Sequence, residues 1–549
     1  MNDGLTMKHS RRGVLAGGVA VAAAAAVAPR VAAQLPAPAR WRRYNVASAE
    51  GQMMLGHYQA AIAAMLKLPP EDPCNWYRTA FVHFLDCPHG NWWLFPWHRG
   101  ITGWTEQMVR RLSGFEGFAF PYWDWTANPE VPAALYQGLL NPGNPAFIGD
   151  ATSFSQKFRG VLTAAGYWAP GSTRLQQLTE RGITSEDVLW DQILNPQNPD
   201  YPAFFPVPTY PNVRNPDARL DCVAANAVSS TILQSAMAAQ DYETFSSPAA
   251  PNHSVMKGFA VLEGYPHNKV HNNTGGIVHP IVNGQCDQST ATNTGGLMQA
   301  FLSPVDPLFF LHHSNIDRLW DAWTQRQIAA GLPYLPQAGF DAWAKEEFLF
   351  FSDADGKPVT KTHAGDYAAI GDFAYDYQPG STGAPMPGPV LKTTRRPPVL
   401  RFAGEVPAGS LKGAKAMSGG LPTAVRLQPA LLQLIRPGAP RHLLAKVTLV
   451  LPHAGRGQEF PVLVDTGDRS RAVQVGSVAL FGHTMAHGPL TFTLPLDGAL
   501  ATLRTSNALK ANGLLNFRAI EPVPRLLSGT AAATPPIDVE VLSVVIEAH

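Results

Sequence analysis

Cysteine is scarce in this chain, and neither sign of charge is in excess. Cys74, Cys87, Cys222 and Cys286 are the four in 549 residues, and none forms a Cys-x-x-Cys pair. That spacing excludes the common zinc-ribbon and dithiol-exchange patterns. Lys and Arg number 42 against 41 Asp and Glu, so no electrostatic pull toward nucleic acid or an anionic membrane is built in. No internal repeat is present. The apolar run from Val14 to Ala28 is too short and too Ala-rich for a comfortable membrane span. It follows Ser10-Arg11-Arg12-Gly13 and precedes Val31-Ala32-Ala33. Residues 1–33 therefore read as a twin-arginine export signal, cleaved to leave a slightly acidic chain in the periplasm or outside the cell, with no membrane contact.

Glycine (48) and proline (49) are plentiful and predict long irregular connections, while 13 Trp and 26 Phe supply a large aromatic core. The length predicts more than one domain. From about 41 to 378 the pattern is helical pieces joined by loops: Gly51–Leu68 stopped by Pro69-Pro70, Ile101–Leu112, and a helix near Cys222–Gln240. Residues 379–398 have linker composition. Beyond them the period switches to strands: His442–Leu451, Phe460–Asp465, Val473–Phe481, Leu490–Leu496 and Ile537–Glu547. The expected architecture is a mainly α domain (34–378), a linker, and an all-β sandwich-like domain (399–549). In the latter, His453, His483 and His487 are isolated and form no catalytic constellation.

The histidines cluster. His83 and His89 flank Cys87-Pro88 and are followed by Trp97-His98-Arg99; Pro266-His267-Asn268-Lys269-Val270-His271 forms a second group; His312-His313 forms a third. His267 and His271 lie one helical turn apart, as two ligands of one metal require. The third group sits on a helix that Asp306 and Pro307 start well, and Asp317, four residues after His313, can hold or orient a ligating imidazole. In the zinc-protease pattern HExxH, the glutamate position is here Asn268, so the general base of a zinc hydrolase is missing. Sites made of imidazole alone suit copper. Two triads holding two copper ions, each with an open position, can pass dioxygen two electrons at once.

Trp76 through His98, PYWDW (121–125), PHNKVH (266–271) and DPLFFLHHSNIDRLW (306–320) together resemble the type 3 copper family of tyrosinases, catechol oxidases and, more distantly, hemocyanins. The resemblance implies a helix bundle in which His83, His89 and His98 hold one copper and His267, His271 and His313 the other. His57 is the weaker candidate for the first ligand, and His312 then lies beside the metal. It implies a thioether between Cys87 and His89, and a water held by Glu263 with Asn268 that takes the proton of a monophenol. The small Ala300, where plant members often carry a gating Phe, implies an open entrance. Tyr375-Asp376-Tyr377 resembles a plant motif that packs on an N-terminal arginine, Arg42 or Arg43 here. The tail resembles the plant C-terminal domain that shields the copper entrance until it is displaced, with Phe481 or Met485 as candidate plug. The implied activity is o-hydroxylation of monophenols and oxidation of o-diphenols to o-quinones, with a small phenol and O2 as substrates. The alternatives are a catechol or o-aminophenol oxidase without hydroxylase activity, an oxygen carrier, and a structural metal site. The residues leave the Cys222–Cys286 pairing open.

Overall fold

The side chain of Ser48 accepts the N–H of Gly51 and opens the helix Ala49–Lys67; Asn75 does the same for Trp76–Asp86 through the N–H of Tyr77. The computed structural model describes residues 40–195, 214–288, 291–381, 399–404, 423–427, 442–452, 459–481, 488–509, 513–521 and 537–549. The expected export signal, most of the expected linker, and His453, His483, Met485 and His487 lie outside the described residues.

Two further helices complete the core of the first half. Leu94–Ser113 begins well before the expected Ile101 and closes on Gly114 in the left-handed conformation. Leu308–Ala329 starts where the Asp306 carboxylate accepts the N–H of Leu308 (2.8 Å). Aromatic side chains weld them together: Phe120 stacks on Phe310 at 4.9 Å, and Trp76 meets Phe310 at 5.9 Å. The segment expected to be one helix near Cys222–Gln240 is two, Cys222–Ala227 and Ser230–Met237, because Ser229 caps a new start.

A buried ionic knot ties the N-terminal strand Trp41–Arg43 to the end of the helical region. That strand runs parallel to Tyr375–Tyr377. The Asp317 carboxylate receives Arg99 Nε (2.7 Å), Arg43 Nη1 (3.3 Å) and the hydroxyls of Tyr375 and Tyr377 (2.5 Å each). Arg43 also pairs with Glu106 and lies 3.6 Å from the Tyr375 ring centroid, while Arg42 takes the exposed Asp376. Of the two candidate arginines, Arg43 is the one packed on the tyrosine pair. Burial raises the cost of the Asp317 charge, but Arg99 and Arg43 outweigh it and hold the carboxyl below its usual range. Removing one member leaves uncompensated buried charge, so Asp317→Ala should lose about 3–5 kcal/mol of stability, read as a lowered midpoint in urea unfolding. A change under about 1 kcal/mol would contradict this reading of the knot.

Among the described residues the C-terminal region is β-rich, and it includes a helix, Asp497–Thr505, that the strand pattern did not predict. Its main sheet path runs Val473–Val478, Phe460–Asp465, Leu514–Glu521, Ile537–Ala548, Leu443–Val450, Leu490–Pro495 and then Gly258–Phe259. The long strand Ile537–Ala548 serves both halves, pairing with Leu514–Glu521 through 537–539 and with Leu443–Val450 beyond. The last strand of the path belongs to the helical region. Gly258–Phe259 adds in parallel to Leu490–Pro495, and only glycine fits at 258, where φ is +146° and a Cβ would strike Thr491 O. Alongside this seam, Lys269 on the His267–His271 segment reaches the buried Glu459 carboxylate and the Ser477 hydroxyl (3.0 Å). The β region is thus fastened to the helical one by backbone pairing and by a desolvated ion pair.

Glu547 gives this region a pH signature. Burial would raise its carboxyl, but His549 (3.1 Å) and Lys446 (2.9 Å) bring it down to about 2. A folded value below the unfolded one stabilises fully above the ordinary 4.5 and loses that contribution as pH falls toward 2. The melting-temperature difference between wild type and Glu547→Gln should therefore be largest above pH 4.5 and shrink below it. A difference independent of pH would refute the assignment.

Candidate metal centre

His83 is carried into the core by the last turn of Trp76–Asp86, and His98 by the first turns of Leu94–Ser113. Each donates its Nδ1–H to a backbone carbonyl, His83 to Phe301 (2.6 Å) and His98 to Leu94 (2.8 Å). That fixes both tautomers and leaves the Nε2 lone pairs facing each other at 3.5 Å. His89 comes from the loop after Cys87, its ring 5.5 Å from those of both His83 and His98. Burial holds His83 at about 3, so it is a neutral imidazole at ordinary pH.

The second group is built the same way. A π-helical turn, Glu263–His267, runs into Asn268–Thr274, so Pro266 sits inside a widened turn and does not begin the helix. His267 and His271 still face one way. The Nδ1–H of His271 goes to Met298 O (2.7 Å), and its Nε2 lies 3.1 Å from Nε2 of His313. The Nδ1–H of His267 goes to Asn268 Oδ1 (2.8 Å), and its buried Nε2 finds no hydrogen-bond partner among the described residues.

Ligand atoms of His267, His271, His312 and His313 all lie within 4.8 Å of one another, and those of His83, His89 and His98 do likewise. The two groups touch, since His98 stacks on His313 at 4.2 Å and 6°. Neutral lone pairs converging in a dry core repel unless a cation sits among them, so the donor set fits a pair of nitrogen-bound metal ions. Four imidazoles in the second group compete for three places. Trp125 Nε1–H donates to His312 Nδ1 (3.2 Å), which puts the His312 proton on Nε2 and removes that lone pair from ligation.

Other residues singled out in the sequence fall as follows. His57 stacks on Phe115 at 3.9 Å, in neither group. Among the described residues no hydrogen bond joins Asp317 to an imidazole. Its carboxylate turns to Arg99 and Arg43, so it secures Arg99, the neighbour of His98, and does not orient His313 directly. Cys87 Sγ stands 3.5 Å from His89 Nδ1. Cys222 and Cys286 form a disulfide that pins the insertion after His271, where His279 pairs with Asp221 (2.9 Å). Glu263 accepts the Gly90 N–H (2.6 Å) and the Ser247 hydroxyl, bracing the loop of His89 against the turn of His267. Burial pushes its carboxyl up to about 8 even though both donors favour the charged form.

Sequence reasoning missed Gly90 and Phe301, because a backbone amide and a backbone carbonyl carry no residue signature, and it missed Ser247, whose hydroxyl comes from outside the histidine motifs. Trp125 was visible within PYWDW as an aromatic loop, without its role on His312. Ala300, expected to leave the entrance open, is buried. The space is filled from the β region: the Phe481 ring lies 4.4 Å from His271, 4.8 Å from His89 and 5.5 Å from His267.

Comparison with known proteins agrees with this architecture. Residues 57–326 match the family model for the common central domain of tyrosinase. A chloroplastic polyphenol oxidase of Malus domestica is 24% identical over 361 residues, 63% of this chain and 50% of that protein. A tyrosinase of Canis lupus familiaris is 26% identical over 251 residues, 44% of this chain and 39% of that protein. The chain spans about half the length of the first of these relatives, or less. Among solved structures, latent apple tyrosinase superposes with a TM-score of 0.51 at 18% identity, covering 94% of this chain and 98% of that one. A latent aurone synthase gives 0.53 at 17% identity, covering 94% and 91%. At such identities these two establish the fold: a helical core with a C-terminal β region packed on it.

Proposed function

Because the chain belongs to the type 3 copper family of tyrosinases and polyphenol oxidases, we propose that it oxidises phenols with O2 at two copper ions. His83, His89 and His98 hold one ion and His267, His271 and His313 the other. The observation that carries this reading is the pair of converging, neutral, buried imidazole groups with their Nδ1 atoms turned outward. The copper pair supplies a two-electron exchange with dioxygen. The protein holds the imidazoles neutral by burial, fixes their tautomers through Phe301, Leu94 and Met298, and excludes bulk water with its aromatic walls.

A phenol must lose its proton to bind as phenolate, and Glu263 with Asn268 is the candidate acceptor, acting through a water. One observation favours the narrower alternative, oxidation of o-diphenols without hydroxylation. Both Glu263 oxygens are engaged by Gly90 and Ser247, and Asn268 Oδ1 by His267, leaving the buried Asn268 Nδ2 without a hydrogen-bond partner among the described residues. Oxygen uptake by the copper-loaded chain on tyrosine and on a catechol decides between them. Uptake on both supports the tyrosinase reading, uptake on the catechol alone supports the second, and uptake on neither refutes the proposal.

The C-terminal region acts as a shield whose plug is Phe481, with residues 379–398 as the linker at which cleavage frees the site. Residues 1–33 direct export, with cleavage expected after Ala33; the N-terminal sequence of the secreted protein tests this.

A further inference from the structure

His253 is a buried histidine outside both metal groups. It is 2% exposed, and both ring nitrogens face carboxylates: Nε2 lies 3.0 Å from Asp86 Oδ1 and Nδ1 lies 2.6 Å from Glu346 Oε1. A carboxylate offers no proton, so both nitrogens donate and the ring is an imidazolium. Burial opposes that charge, but Asp86 and Glu346 outweigh it and raise His253 above its ordinary 6.5. Arg181 is the other charged group facing the ring, and it opposes the proton; Phe348 meets the ring edge-on at 5.7 Å.

Asp86 connects this cation to the first metal group. It lies three residues after His83 and three before His89. Its second oxygen accepts the indole N–H of Trp97 at 2.7 Å. The Trp97 ring in turn stands edge-on to His83 (5.6 Å) and His98 (4.9 Å). The chain around His253 also follows the loop of His89. The His253 carbonyl accepts Asn91 Nδ2–H (2.9 Å), and Gly90 O accepts the N–H groups of Lys257 and Gly258 (2.7 and 3.0 Å). One desolvated cation thus joins the end of the His83 helix to the aromatic wall beside His98.

We propose that charged His253 is a positioning residue for the first copper site, holding Asp86 and through it Trp97 against His83 and His98. This rests on His83, His89 and His98 being the ligands of that ion. A neutral His253 turns a lone pair toward one of its carboxylates, and the site loosens. Because the folded value is raised, the contribution is full below the ordinary 6.5 and is lost as pH climbs through the raised value.

The test is copper loss from the full, copper-loaded chain to excess EDTA, followed by elemental analysis, which needs no turnover. His253→Gln keeps the backbone carbonyl that receives Asn91 and removes the cation. At about pH 6 it should lose its first copper about tenfold faster than wild type, and the ratio should fall toward one by about pH 9, where wild-type His253 is neutral as well. Glu346→Gln weakens the hold on the proton while leaving the Asp86–Trp97 bond, so its pH-dependent rise in copper loss should come at lower pH than that of wild type. If His253→Gln does not fold, this shift alone decides. Equal rates for wild type and His253→Gln at about pH 6 overturn the inference. So does a ratio constant over the pH range, which marks a support of the fold only, or an unmoved rise in Glu346→Gln. A chain that takes up no copper defeats the ligand assignment itself, and the inference with it.

Discussion

His271→Ala should release copper from the second group and reduce phenol turnover roughly a thousandfold or more, because a metal that organises the reaction has no substitute in the protein. His271 is fixed from behind by Met298 O, and its Nε2 meets that of His313 at 3.1 Å, so its removal leaves His313 and His267 without the third donor of their group. Elemental analysis should show about half the wild-type copper per chain, with the site of His83, His89 and His98 still loaded. The companion variant His312→Gln should keep both ions, since the Trp125 hydrogen bond already denies that imidazole a lone pair for the metal. Full copper in His271→Ala, or lost copper in His312→Gln, would show that the four imidazoles divide their roles differently.

Phe481→Ala in the full chain should raise phenol turnover at least about tenfold before any protease is added. Two effects act in the same direction. The ring that now touches His89, His267 and His271 is gone, and a buried Phe→Ala change forfeits about 3–5 kcal/mol of packing that helps keep the β region seated. The seam of Gly258–Phe259 on Leu490–Pro495 and the Lys269–Glu459 pair remain, so the region stays attached and the gain reports access to the metal groups. Limited proteolysis near 379–398 should then raise wild-type turnover strongly and that of the variant only slightly. Equal turnover in wild type and Phe481→Ala, each measured before and after cleavage, would rule out Phe481 as the plug.

The seam also shows why local signals failed where they did. Gly258–Phe259 is two residues long and carries no alternation to detect, and its partners Thr491 and Phe492 lie more than two-fifths of the chain away. Phe481 closed the expected strand Val473–Phe481, but the strand stops at Val478 and frees the ring to turn toward the histidines. Pro266 read as a helix start, yet the chain absorbs it in a π-turn, since the contacts of Glu263 with Gly90 and Ser247 hold that turn in place. Asp317 sat one turn from His313, and that spacing said nothing of two arginines and two tyrosines arriving from 43, 99, 375 and 377.

What the sequence determined by itself was the donor chemistry: which histidines are grouped, that no carboxylate or thiolate pair competes with them, and where the helical period gives way to strands. These follow from spacing along a single element, which the chain carries locally. The tertiary structure alone decided which imidazole nitrogens face inward, which of four histidines is disarmed by Trp125, and which ring from the β region lies among them. Those outcomes depend on carbonyls, amides and rings brought together across hundreds of residues, and such contacts exist only once burial has made their alternatives costly.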